Sequence, residues 1–473
     1  MNTTPFTIAQ DVSRRAWLLY AAAIASSLPT LWFFLVGEEG ILVNSSLEMW
    51  QRGDWQRLWL YGSDARHGVF ANWLIILISS AVGWDRAPGV VRAIMIASTA
   101  LGGAMLAFLA HRLYRNAALA ALAAAIAVTF GDMLFYRGWL GYRDPLLGML
   151  VFGAIAAIWM AVETRRVVWL VGTLLLTTMA FLTKGIIAYA FVGAAVPVFL
   201  WRRDARAFLL RPVPLLLAAL TLCAPFVWSY WTAGDQAQNT RMTGEILDKL
   251  MPLGIPAYLE KLITFPLETL LRLAPVSLLA LWLALRNHAF KGLLAQQPVR
   301  TALAIAAITF VPFWLAPQSH FRYVLPILPL IALVLAVAVC KLGDASVRTA
   351  MRWMWAAVAL KFLLAAVIFP IYQHRVRGEN YAITAREVLQ RTAGFPLYSN
   401  DVSAAGLSVT AYMNIQRLPQ RALTFAPLQW DNGFAISNLP DATLGKIDAQ
   451  YPLGGDTLYL LCRGAACNAP LQR

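Results

Sequence analysis

Stretches of about 20 predominantly apolar residues follow one another along this chain, each long enough to cross roughly 30 Å of hydrocarbon as a helix. Within a bilayer, backbone N–H and C=O groups must be satisfied inside the segment itself, so a chain of this kind becomes a bundle of spanning helices. Charge content agrees: 13% of the 473 residues are charged, about half the roughly 25% of a soluble domain. The apolar pattern places spans at residues 16–36, 88–110, 117–135, 144–162, 167–183, 185–201, 212–232, 267–286, 301–317, 323–341 and 350–372. The expected fold is an all-α polytopic membrane protein with about eleven transmembrane helices. The first run follows Arg14 and Arg15, is longer than a signal-peptide core and has no small-residue cleavage site before Glu38, so it reads as a retained helix.

A net charge of +15 could signal nucleic-acid binding. The basic residues are instead dispersed over short loops between apolar runs, which excludes a nucleic-acid partner and marks topology. Loops holding Arg14/Arg15, Arg112/Arg115, Arg165/Arg166, Arg202/Arg203/Arg206, Arg286/Lys291/Arg300 and Lys341/Arg348 carry about 16 Lys and Arg against 4 carboxylates, and the positive-inside rule makes them cytoplasmic. The N-terminus is then inside and, after eleven crossings, the C-terminal tail outside. Two outer loops are long, 37–87 and 233–266. The first contains Val69–Val82, short for a span and read as an interfacial or re-entrant helix; one more crossing there would invert everything downstream.

After Tyr372 the composition becomes that of a soluble domain. The expected division is a membrane domain over 1–372 and a small α/β soluble domain over 373–473, with a helix at Glu379–Gln390 and strands at Pro396–Ser399 and Thr457–Leu461. Cys462 and Cys467 can pair if that segment faces an oxidising compartment, whereas Cys223 and Cys340 lie in apolar helices. No P-loop, zinc-spaced Cys/His cluster, Gly-rich dinucleotide fingerprint or internal repeat is present.

Four polar constellations fall at outer helix ends. Glu38 and Glu39 adjoin the hydrocarbon edge, where burial and a like-charged neighbour raise one pKa toward that of a general base; an acid there also simply marks the interface. Asp144, followed by Pro145, makes a good helix N-terminus and equally puts a carboxylate on the outer side. Lys184, in Thr183-Lys184-Gly185, can snorkel or hold an anion. His320, Arg322 and Tyr323 can serve a phosphate or form an aromatic and basic interfacial belt. Lys361 lies alone in the last span, where a bundle-facing structural role is expected. Together, two acidic and two cationic sites on one face suit a carboxylate that deprotonates a hydroxyl acceptor and cations that hold a lipid-linked phosphate as it leaves.

In order along the chain, these elements resemble the GT-C membrane glycosyltransferases, in the group containing the dolichyl-phosphate-mannose protein mannosyltransferases and the bacterial lipid A aminoarabinose transferase. Glu38-Glu39-Gly40, Ser46-Leu47-Glu48-Met49 and Gly53-Asp54-Trp55 resemble that group's first outer loop, and Asn72-Trp73-Leu74, Gly83 and Arg92 fit the next stretch. Arg143-Asp144-Pro145-Leu146 resembles its second acidic site. Phe181-Leu182-Thr183-Lys184-Gly185 resembles its Thr-Lys-Gly turn, and Arg322-Tyr323-Val324-Leu325-Pro326 with Pro329 its Tyr-x-Leu-Pro-x-x-Pro helix. The resemblance covers about residues 16–345.

It implies inverting transfer of a sugar from a polyprenyl-phosphate donor to a lipid, glycan or protein acceptor on the periplasmic face of a bacterial inner membrane. Carried over, Glu38 is the catalytic acid's counterpart, with Glu39 as the other candidate, and Asp144 is the second acid. Lys184, Arg322, Tyr323 and Arg241 become donor-phosphate contacts. The sequence departs by carrying Glu where the group has Asp, and by lacking its Lys-Pro-Pro element; Arg66 and His67 stand near that position. No cofactor is assigned, and room is left for a divalent cation. The alternatives are a lipid or small-anion transporter or flippase, which would use Lys361, and a non-catalytic assembly protein acting through its outer domain.

Overall fold

The computed structural model describes residues 10–65, 68–232, 254–287 and 290–468. The chain is mostly helical, with a small four-stranded sheet near its C-terminus. It forms two compact units: Met1–Ser27, Met95–Trp139 and Arg143–Phe362 make one, and Leu28–Ile94, Leu140–Tyr142 and Leu363–Arg473 the other.

The first unit is a helical bundle. Among the described residues of the chain, six helices are long and apolar enough to cross a membrane, or seven if the bent pair Ile255–Arg272 and Val276–Trp282 counts as one. Phe70–Val82, Ala117–Thr129, Val168–Lys184 and Ile187–Leu200 are apolar but shorter. At the centre, Asp144–Thr164 is buried almost throughout and packs along Val168–Lys184, while Pro212–Thr232 is left almost wholly exposed. Ala117–Thr129, rich in alanine, is also buried along its length between Gln10–Ala25 and Leu328–Lys341. Small side chains permit that close approach where lipid supplies no hydrophobic drive. Asn116 caps this helix, its Oδ1 accepting from the Leu119 N–H at 2.9 Å.

Two expected spans end early. The 16–36 run is a helix only over Gln10–Ala25, followed by a 3-10 turn at Leu28–Trp32. Ser26 Oγ donates back to the Ala23 carbonyl at 2.6 Å and Pro29 has no N–H to continue the ladder. The 117–135 run stops at Thr129; Phe130 is extended, and Met133–Arg137 forms a separate π-turn that carries charge. Lys361 is fully buried, its Nζ 4.3 Å from the centre of the Trp139 ring, a bundle-facing position.

In the second unit, the Glu39–Arg52 helix is buried over most of its length and lies against Ala404–Gln416. Gly40 makes this approach possible, because a Cβ there would stand 2.4 Å from the Leu407 carbonyl oxygen. Asn44 donates to that carbonyl at 2.9 Å and accepts from Asn414 Nδ2 at 2.9 Å. On the same helix, Ser45 and Ser46 each accept from Asn72 Nδ2 at 2.8 Å. Asn72 belongs to the Phe70–Val82 helix, whose 13 residues span about 20 Å, short of the roughly 30 Å of a hydrocarbon core. The loop also holds a two-stranded ribbon, β1 (Trp59–Leu60) and β2 (Ser63–Asp64).

The sheet has the order β3-β4-β6-β5, with β3 at Leu397–Ser399, β4 at Gly433–Ser437, β5 at Lys446–Pro452 and β6 at Thr457–Arg463. β3 runs parallel to β4 and the other pairs are antiparallel. Glu379–Arg391 and Ala404–Gln416 pack on it over a core that includes Tyr381, Val388, Val409, Phe434 and Leu460. The expected helix and two strands are present, and β4 and β5 complete the sheet.

Cys462 and Cys467 form a disulfide, and Cys223 and Cys340 are free. Denatured without reductant, the purified chain should take two maleimide labels, and four after reduction. Four labels before reduction would contradict the pairing.

Candidate functional site

Glu38 and Glu39, indistinguishable in the sequence, have opposite environments. Glu39 is fully buried and forms an ion pair with Arg92, itself fully buried. Arg92 Nε donates to Glu39 Oε1 at 2.8 Å, Nη1 to the carbonyls of Thr30 (2.8 Å) and Phe33 (2.6 Å), and Nη2 to Glu39 Oε2 and to the Phe34 carbonyl at 2.7 Å. All five guanidinium donors are thereby used. Glu39 also accepts from the backbone N–H of Val36 at 2.8 Å and of Gly141 at 2.7 Å. Its two oxygens are saturated, and its carboxylate is a structural pin.

Glu38 is exposed, and its carboxylate makes no hydrogen bond or ion pair among the described residues. Its backbone N–H donates to Tyr142 Oη at 3.4 Å, and the preceding Gly37 adopts φ of 58° against the same hydroxyl. The segment is further held by Tyr412, whose hydroxyl accepts from the Leu35 N–H at 2.8 Å, and by Gln373, which exchanges two hydrogen bonds with the Phe34 backbone. The second unit thus presents one exposed acid on a rigid turn.

The first unit gathers four of the expected residues. Asp144, buried at the N-terminus of its helix, forms an ion pair with Lys184 Nζ. Lys184 ends its own helix, and Gly185 turns the chain with φ of 75°, a conformation open to glycine at little cost. Lys184 Nζ stands 5.5 Å from the Tyr323 ring centre and the Arg322 guanidinium 5.3 Å from it. Arg322 Nη2 lies 3.4 Å from the Tyr323 hydroxyl, at the edge of hydrogen-bonding range. Tyr323 is buried and stacked on Phe313, with ring centres 5.8 Å apart, so it is a fixed platform for both cations. Lys184 and Arg322 against Asp144 leave this cluster with net positive charge, the complement of a phosphate. Arg66, His67 and Arg241 lie outside the described residues.

A further group escaped the sequence reading. Asp132 is buried, and its Oδ1 accepts from Arg137 Nη1 at 2.5 Å and from Arg272 Nη1. The apolar run drawn through residue 135 had hidden it. Arg92 carried a readable signal, an arginine inside an apolar stretch. Among the described residues no three His, Cys, Asp or Glu side chains gather as metal ligands.

Arg92→Ala should leave Glu39 buried without its partner and cost about 3–5 kcal/mol of stability, whereas Glu38→Gln should stay within about 0.5 kcal/mol of wild type. Thermal unfolding in detergent measures both. Equal losses would contradict the division of roles between the two acids.

Residues 66–231 match the dolichyl-phosphate-mannose-protein mannosyltransferase family. An undecaprenyl phosphate-alpha-4-amino-4-deoxy-L-arabinose arabinosyl transferase of Pseudomonas aeruginosa is 30% identical over 267 residues, 49% of this chain and 46% of the relative. The chain thus spans about half the length of the curated relatives it matches. Among solved structures, ArnT from Cupriavidus metallidurans, bound to undecaprenyl phosphate, has a TM-score of 0.68 at 17% identity, covering 96% of this chain and 98% of that one. The oligosaccharyltransferase AglB from Archaeoglobus fulgidus has a TM-score of 0.54 at 11% identity, with 90% and 69% covered. These likenesses establish the fold.

Proposed function

We propose that this chain, a relative of the GT-C membrane glycosyltransferases in the mannosyltransferase and aminoarabinose transferase group, transfers a sugar from a polyprenyl-phosphate carrier to an acceptor hydroxyl. The acceptor is a lipid, glycan or protein of the cell envelope, and transfer takes place on the periplasmic side of the inner membrane. The N-terminus is cytoplasmic and residues 373–473 are periplasmic. The observation that carries the reading is the cationic cluster of Lys184 and Arg322 over the Tyr323 ring, with Asp144 paired to the lysine. The relatives support it: the one from Cupriavidus metallidurans was solved with undecaprenyl phosphate.

The chemistry follows from charge. Glu38 takes the proton of the acceptor hydroxyl, and the acceptor oxygen attacks the anomeric carbon from the face opposite the phosphate. The bond from that carbon to the phosphate oxygen breaks, and polyprenyl phosphate leaves with the electron pair, so configuration inverts. Charge grows on the leaving phosphate, and Lys184 and Arg322 stabilise it through charge-assisted hydrogen bonds. Asp144 orients the Lys184 ammonium, and the exposed Glu38 is free to meet the acceptor because Glu39 anchors the turn below it.

Release of polyprenyl phosphate from a membrane-extracted lipid-linked sugar measures the reaction. Glu38→Gln and Asp144→Asn should each lower turnover by about 10²–10⁴-fold, the scale of a lost general base or its equivalent, with the protein still folded and inserted. Wild-type turnover in both variants would remove the assignment.

A further inference from the structure

Within the first unit, a pocket of about 550 Å³ opens between the Gly131–Tyr136 turn and the Ile255–Arg272 helix. That helix is amphipathic. Ile255, Leu259, Ile263, Leu267 and Leu271 recur every four residues and are all exposed, while Phe265 and Thr269 are buried. It bends by 106° from the helix that follows. The following helix, Val276–Asn287, has 12 residues and does not span alone, so the pair is a broken element whose amphipathic first half runs along the bilayer surface with its apolar stripe in the lipid.

The pocket is apolar on one side and charged on the other. Leu267, Leu271 and Phe135 line the first, and Asp132, Glu268 and Arg272 the second. Arg272 is held firmly. Its Nε donates to Glu268 Oε1 at 2.7 Å, its Nη1 bonds Asp132, and its guanidinium stands 5.2 Å from the centre of the buried Phe321 ring. Its Nη2 makes no hydrogen bond or ion pair among the described residues, and the side chain remains 34% exposed, enough to receive a ligand. Glu268 is 43% exposed on the same rim. Asp132 Oδ2 is buried without a hydrogen-bond partner among the described residues, so this wall has unspent acceptor capacity. Asp132 and Glu268 balance Arg137 and Arg272, so the group is electrically neutral. A neutral group presenting one exposed cation beside one exposed anion complements a zwitterion, and a purely anionic headgroup would face the Glu268 charge unpaired.

We propose that this pocket binds the headgroup of a zwitterionic membrane phospholipid. The phosphate takes Arg272 Nη2, the amine takes the Glu268 carboxylate, and the acyl chains follow Leu267 and Leu271 into the bilayer. The site is independent of the transfer chemistry and uses none of its residues.

Native mass spectrometry tests it, on the full chain purified into detergent with equimolar phosphatidylethanolamine and phosphatidylglycerol of identical acyl chains. The wild type should retain phosphatidylethanolamine by about tenfold over phosphatidylglycerol, the scale of one extra charge-assisted contact. Glu268→Gln leaves the Arg272–Asp132 pair in place, keeps the fold, and should abolish the preference. Arg272→Ala should lose both lipids. Equal retention of the two lipids by the wild type, or an unchanged preference in Glu268→Gln, would overturn the proposal.

Discussion

The Arg92–Glu39 ion pair is the constraint from which the candidate acid turn is built. Two opposite charges without solvent are tolerable only when every donor and lone pair is met. Here the guanidinium closes three carbonyls of the 30–34 segment as well as the carboxylate, and the carboxylate closes the N–H groups of Val36 and Gly141. Segments far apart in the chain are thereby fixed on one buried charge. The exposed Glu38 owes its place to that network.

The same rule applies elsewhere in the molecule. Asp144 is buried because Lys184 neutralises it, and Asp132 because Arg137 and Arg272 do. In each case an acid at a helix end meets a cation from another helix, Lys184 for Asp144 and Arg272 for Asp132, and Arg137 of its own turn adds to the latter. Lys184 and Arg322 stand 5.5 Å and 5.3 Å from the centre of the Tyr323 ring and, against Asp144 alone, leave net positive charge there.

Much of this was legible in the sequence. Apolar length reveals spanning helices, and the order of Glu38-Glu39, Asp144, Thr183-Lys184-Gly185 and Arg322-Tyr323 pointed to the fold shared with ArnT and AglB. The Glu379–Arg391 helix and strands β3 and β6 were readable from local pattern. What stayed hidden was non-local or masked by apolar neighbours. Hydropathy averaging ran through Ser26, Pro29 and Asp132, so two spans were drawn too long and a buried charge group was missed. The choice between Glu38 and Glu39 depended on Arg92, more than fifty residues away, and β4, buried at every position, lacks the alternation that reveals a half-buried strand; β5 does alternate polar and apolar residues, a local signal that went unused. The buried helix pairing through Gly40 joins residues over 360 positions apart, beyond any local signal.

The proposed reaction moves a sugar from a polyprenyl-phosphate carrier onto an envelope component. Mass spectrometry of envelope lipids and glycans from cells with and without the gene tests it most directly. One component should lose a single sugar in the deletion strain and regain it on complementation with the wild-type chain. Identical envelope lipids, glycans and glycoproteins in the two strains, with the protein produced and inserted in the wild type, would contradict it.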